Sequence, residues 1–249
     1  MYKEAVNKYN SGNLDEAENI ANDLLKSDPK DSQSLYLLGL IYQKKKDIKR
    51  SVEYLRKSVE IHETLNNLFA YANVLILAAK YHESIDFYKK ILLINSLHEP
   101  TMVNLSYAYF LIHDYVNTER FLLEALKLNK NNPYTYKNLG DLYRRQNKYN
   151  KALDNYNTAF EFDRKNPEIK KGIALLYLEQ KKYKKGWELY DSRLFCRQNL
   201  GTTFALIKNN LFFDALNNNM KIAVISEQGL GDNILFSSMY TDLINLNKN

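Results

Sequence analysis

The chain has 249 residues, 45% hydrophobic and 26% charged, enough for one elongated domain or two small ones. Its 8 Gly and 4 Pro exclude a loop-rich or all-β protein, and the single cysteine, Cys196, excludes an internal disulfide framework and fits a reducing compartment. The net charge of +6 comes from 35 basic residues interspersed among 29 acidic ones, so nucleic acid is not the expected partner.

Residues 1–7 contain no apolar leader core, and no uninterrupted apolar run of about 18 residues occurs. A cytoplasmic location without membrane contact is therefore expected. From Ala5 onward small residues recur at Gly39, Ala72, Ser106, Gly140 and Ala174, in steps of 34, 33, 34, 34 and 34. Twelve residues after each lies a second small residue: Ala17, Ser51, Ser84, Thr118, Ala152 and Gly186. Both columns show the same one-residue deletion between units two and three. Large residues keep the same register, as Tyr42, Leu75, Tyr109, Tyr143 and Tyr177, and as Leu14, Ile48, Tyr81, Tyr115, Tyr149 and Tyr183.

Each unit reads as two helices joined by a short turn, near Gly12, Asp47, Lys80, Asp114, Asn147 and Lys182. Small residues belong where helix axes approach most closely, and large ones fill the space beside them. Pro100, Pro133 and Pro167 fall at or beside the start of a first helix, where a missing N–H is harmless, with Asn132 and Asn166 placed to cap. The expected class is all-α: twelve antiparallel helices over residues 1–197, without a strand, wound as a right-handed superhelix. Unit one carries Lys8 in the large-residue column and suits a polar terminal cap.

A 34-residue period with these columns resembles the tetratricopeptide repeat, over six units. The resemblance implies that first helices line a concave groove holding an extended protein or peptide. Mapped onto this sequence, that wall carries Asn73, Asn104, Tyr107, Lys137, Asn138, Asp141 and Arg144. Asparagine amides suit peptide backbone because they both donate and accept, and Asn104 and Asn138 are equivalent positions one unit apart. The alternative reading is that these are ordinary polar residues on a wet helix face. Tyr2 and Val6 stand where the chaperone-tail clamp of some relatives needs Lys and Asn, so that partner is not expected.

Other residues read more plainly. Most of the 20 tyrosines fall in packing columns and serve as core rather than as stacking platforms. His62, His82, His98 and His113 lack metal-ligand spacing, and neither a metal nor a cofactor is expected. Lys181, Lys182, Lys184 and Lys185, with Arg144, Arg145 and Lys148, form a basic edge at the turns, read as a solvated surface that also has the charge to steer an acidic partner. Trp187, the only tryptophan, is expected to dock a following domain.

The final residues differ in kind. Lys221 to Ser226 is a short β-branched apolar run; Glu227-Gln228-Gly229-Leu230-Gly231-Asp232 and an amphipathic stretch to about Leu246 follow it. This pattern encodes strand, glycine turn and helix, a form able to approach an anion. Together with the Gly186-Trp187 segment it resembles the junction in bacterial tetratricopeptide glycosyltransferases of the GT-B class, relatives of the heptosyltransferases and of the O-linked N-acetylglucosamine transferases. That resemblance implies residues 198–220 as connector and 221–249 as the truncated β-α start of a Rossmann-like catalytic region. It makes Gly229 and Gly231 acceptor-binding, and Asp232 either a general base or a helix cap. The donor-binding domain has no counterpart in the 249 residues, so a nucleotide sugar is expected to bind only in a complete relative, and this chain alone is expected to be inactive. The rival expectation is a stand-alone adaptor with the last unit as a cap; a third makes the glycine turn a phosphate site.

Overall fold

The computed structural model describes residues 1–190, which form twelve helices in six antiparallel pairs. They are α1 (Tyr2–Asn10) with α2 (Leu14–Ser27), α3 (Ser32–Lys44) with α4 (Ile48–Ile61), and α5 (Leu65–Leu77) with α6 (Tyr81–Ile94). Then come α7 (Glu99–Leu111) with α8 (Tyr115–Leu128), α9 (Pro133–Arg145) with α10 (Tyr149–Phe162), and α11 (Pro167–Glu179) with α12 (Tyr183–Tyr190). No strand occurs among the described residues, and the helix turns fall where the sequence places them. The strand, glycine turn and helix expected over 221–246 lie outside the described residues, as do the connector and Cys196.

Each helix packs on its neighbours in sequence. First helices also touch the first helices of adjacent units, whereas second helices touch no other second helix. The first helices α1, α3, α5, α7, α9 and α11 thus crowd onto one inner wall, and the second helices are spread along the outside of the superhelix.

The two small columns meet at this crossing. All their side chains are buried, and Ser51 Oγ donates to the Gly39 carbonyl at 2.7 Å, as Ser84 Oγ does to the Ala72 carbonyl at 2.8 Å. The twelve-residue offset is therefore the spacing that places one small residue against the other across a helix pair. The Tyr156 ring is the extreme case. It comes from a second helix, is fully buried, and passes between Gly140 and Gly172 of two successive first helices. A Cβ added at either glycine would stand 2.6 Å from a ring carbon.

Caps and turns fix the ends. Asn132 accepts from the Tyr134 N–H and Asn166 from the Glu168 N–H, directly ahead of Pro133 and Pro167. The turn between the two helices of each unit holds one residue at positive φ: Gly12, Lys46, Ala79, His113, Asn147 and Lys181. Only Gly12 and Asn147 are types that adopt this region readily. At the other four the closing bonds of the turn impose it, as where Lys46 N–H donates to the Gln43 carbonyl and Asp47 N–H to the Tyr42 carbonyl. Among the described residues no helix is long and apolar enough to cross a membrane.

Candidate functional site

The first helices of units three to six surround an open groove of ≈ 1040 Å³. Phe69 of α5 stands at one end and Lys171 of α11 at the other; between them lie Val103, Asn104 and Tyr107 of α7 and Tyr134, Lys137 and Asn138 of α9. No second helix contributes. Positions 100, 103, 104 and 107, with 134, 137, 138 and 141, repeat the i, i+3, i+4, i+7 stripe of one helix face. Loop residues Asp163, Lys165 and Asn166 complete the rim. A smaller recess shares Tyr107 and Asn138 with the groove and reaches Asp141.

The two equivalent asparagines differ in occupation. Asn104 donates to Asn73 Oδ1 at 2.7 Å, and that oxygen also accepts the Tyr88 hydroxyl at 2.5 Å. Asn104 is thus tied into a network under the wall. One unit on, the position of Tyr88 is held by Leu122, which has no hydroxyl, and the position of Asn73 by Tyr107. The Asn138 side chain makes no hydrogen bond to a described residue, and its donors and acceptor face the groove unspent. Tyr107 and Tyr134 flank it as the exposed aromatic surface, 44% and 58% accessible.

Charge on the wall is mixed and partly neutralised. Lys137 lies 2.7 Å from Asp141. Burial works against its ammonium, but the carboxylate outweighs burial and its pKa lies above the ordinary lysine value. Asp141 also accepts the Tyr156 hydroxyl at 2.6 Å, and that phenol is held well above its usual pKa by burial and by the carboxylate. Arg144 donates to the same hydroxyl at 3.4 Å and pairs with Glu179. Glu99 accepts from the Asn132 amide at 2.6 Å, Glu168 stands 3.8 Å from Lys171, and Lys165 has no carboxylate partner among the described residues.

Of the residues expected on the wall, Asn104, Tyr107, Lys137 and Asn138 line the groove together and Asp141 lines its recess. Asn73 and Arg144 line neither; they brace the wall from behind through Tyr88 and Tyr156. Gly229, Gly231 and Asp232 lie outside the described residues. Phe69, Val103, Tyr134, Lys165 and Lys171 also line the groove and are not among the residues expected on the wall. The signal for Val103 and Lys171 was present, since both are one unit from Lys137 in the same column. Trp187 packs edge-on against Tyr190 with ring centroids 5.3 Å apart. The groove offers apolar area, an unpaired amide and scattered charge, which is the equipment of recognition; among the described residues no cluster of three His, Cys, Asp or Glu is placed to hold a metal.

Three family models match parts of the chain. One described as "Anaphase-promoting complex, cyclosome, subunit 3" matches residues 10–91, one described as "Tetratricopeptide repeat" matches residues 121–154, and one described as "TPR repeat" matches residues 140–181. No curated protein matches. Among solved structures, a tetratricopeptide repeat protein from Parabacteroides merdae is similar with a TM-score of 0.68 at 15% identity, over 78% of this chain and 77% of that one. The pilF protein of Pseudomonas aeruginosa gives 0.62 at 17% identity, over 76% and 86% of the two chains. A thermophilic protein of the same repeat type from Thermus thermophilus gives 0.58 at 21% identity, over 71% and 96%. At these identities the likeness speaks for the fold.

Proposed function

We propose that this tetratricopeptide repeat protein is a binding scaffold that holds an extended peptide segment of a partner protein in the groove of units three to six. The carrying observation is the unspent Asn138 amide between exposed Tyr107 and Tyr134, on a wall built only from first helices. An extended peptide presents one N–H and one C=O per residue, and an asparagine amide satisfies both at once without reading the side chains. The tyrosines supply apolar area with a polar tip, a combination suited to contact surfaces. The Tyr156 hydroxyl on Asp141 and the Asn73–Asn104–Tyr88 network hold the wall from behind, so little ordering opposes binding.

The test is selection of peptides from a random library on the full chain, followed by affinity measurement against variants. Asn138→Ala and Tyr134→Ala should each weaken the selected peptides by about 1–2 kcal/mol, in the range of an ordinary interface contact. Peptides that bind both variants as tightly as the parent chain would place the site elsewhere.

A finer reading rests on sequence alone. The Gly186-Trp187 segment and the Glu227–Asp232 turn support a proposal that the scaffold serves a glycosyltransferase of the GT-B class, presenting a protein acceptor to it. In that proposal Gly229 and Gly231 approach the acceptor and Asp232 takes its hydroxyl proton. The competing proposal, a stand-alone adaptor, needs only the groove. Loss of sugar transfer in the complete relative on Asp232→Asn, with peptide binding retained, would support the first over the second.

A further inference from the structure

A second surface lies at the opposite end of the same first helices, on the turns that join them to α10 and α12. In unit five Lys148 and Lys151 stand over the Tyr143 ring, their ammonium nitrogens 5.9 and 5.5 Å from its centroid. One repeat later Lys182 and Lys185 stand over Tyr177 at 5.8 and 6.0 Å. Arg145, Lys181 and Lys184 extend the cluster, giving seven exposed cations of which none has a carboxylate partner among the described residues. The carboxylates nearby in sequence are Asp154 and Glu188, each three residues past its lysine; Glu179 is taken by Arg144 and Glu119 by the Tyr143 hydroxyl.

At the register positions of the four lysines over the rings, units two to four carry no unpaired cation. The column of Lys148 and Lys182 holds Asp47 in unit two and Asp114 in unit four, each accepting a backbone N–H of its own helix. Unit three has Lys80, but Glu83 pairs with it at 3.2 Å, and in unit two Arg50 is tied to Asp47 at 2.6 Å. Among the described residues two unpaired lysines over one tyrosine are therefore confined to units five and six; in unit two Lys46 and Lys49 also lack a carboxylate partner, but only Arg50, tied to Asp47, stands over Tyr42. Like charges this close repel one another; one ammonium over each ring supplies the cation–π attraction, and the second adds repulsion without a carboxylate partner among the described residues.

We propose that this turn face of units five and six is a docking surface for an acidic segment of a protein partner, distinct from the groove. Two features favour a polypeptide over a nucleic acid. Six of the seven cations are lysines, which act as point charges and lack the planar fork that matches phosphate bidentately. A phosphate backbone also needs a long positive track, and here the next units present Asp114, Glu119 and Glu83. Two clusters one repeat apart instead fit a short run of Asp and Glu, with each carboxylate shared between the two lysines above a tyrosine.

The experiment measures binding of a fluorescent poly-L-glutamate oligomer to the full chain across a salt series. The variant Lys148→Ser, Lys151→Ser, Lys182→Ser, Lys185→Ser should weaken binding about tenfold or more and flatten its salt dependence. The same four positions changed to Arg should retain it, and Lys46→Ser with Lys49→Ser in unit two should leave it unchanged. Helical circular dichroism checks each variant, and the pair Lys148→Ser, Lys182→Ser gives a smaller loss if the fourfold variant does not fold. Equal binding by a folded lysine-to-serine variant overturns the proposal. So does tighter binding of a single-stranded oligonucleotide or of phosphatidylserine vesicles than of the acidic peptide. Asn138→Ala should not affect this binding, which separates a failure here from a failure of the groove.

Discussion

Replacing Gly140 by Leu tests the packing that supports the groove wall. The first added atom would stand 2.6 Å from Cδ1 and Cε1 of Tyr156. The ring cannot retreat, because the α11 backbone at Gly172 stands on its other side, so close that a Cβ there would also lie 2.6 Å from a ring carbon, and the ring's hydroxyl is anchored on Asp141 at 2.6 Å. Overpacking of this kind costs about 1–3 kcal/mol, and a site walled by two helix backbones belongs at the upper end. Leaving glycine for a good helix former returns about 1 kcal/mol, so the net loss is about 2 kcal/mol. For a chain of this size that lowers the melting temperature by about 4–8 °C. Because repeats unfold by neighbouring units, hydrogen exchange should show lost protection in α9, α10 and α11, with α3 and α4 unchanged. Adding Tyr156→Ala should make the two losses less than additive, since the smaller side chain frees the space the leucine needs. An unchanged melting temperature, or strictly additive losses, would refute this account of the helix crossing.

The equivalent asparagines should separate cleanly: Asn104→Ala costs about 1 kcal/mol through the lost bond to Asn73, whereas Asn138→Ala stays within about 0.5 kcal/mol, both read from urea unfolding. Asn67 donates to Ser58 Oγ at 2.8 Å and to the His62 carbonyl at 3.1 Å inside the junction of units two and three. Asn67→Leu should therefore destabilise by about 1–3 kcal/mol, and a neutral result would mean that water reaches that cluster. Burial and Glu119 push the Tyr143 phenol up to about 12, and burial raises Tyr71, Tyr88 and Tyr156 as well. The folded state then binds more protons than the unfolded one above the ordinary tyrosine value of about 10, so stability is full below that pH and falls as pH rises toward 12. Urea midpoints that stay flat or rise between pH 9 and 11 would contradict this linkage. Ala79 sits at φ 57, so Ala79→Gly should raise stability by about 0.5–1 kcal/mol in the same assay.

The fold was legible because its signal is periodic. Small residues twelve apart, such as Gly39 and Ser51, must face each other across a helix pair, and the deletion shared by both columns fixed the register without any structure. The caps at Asn132 and Asn166 were legible for the same local reason. The site was legible only in part, since a column gives the face of a residue but not its partners. Asn104 and Asn138 are indistinguishable as columns; they differ because the second helix before each carries Tyr88 in one unit and Leu122 in the next. Gly172 lies in neither small column, and its need to be small is set by a ring from the preceding unit. The positive-φ turn residues Lys46, Ala79, His113 and Lys181 carry no local signal, because the hydrogen bonds that close the turn impose the conformation.

The central claim is that a peptide lies on the inner wall formed by the first helices. Photo-crosslinking with one selected peptide tests it most directly, with a benzophenone amino acid placed either at Tyr134 on α9 or at Val116 on α8, both well exposed. The expected result is a covalent adduct from position 134, abolished by excess unlabelled peptide, and none from position 116. An adduct from position 116 with none from position 134 would put the partner on the outer helices and contradict it.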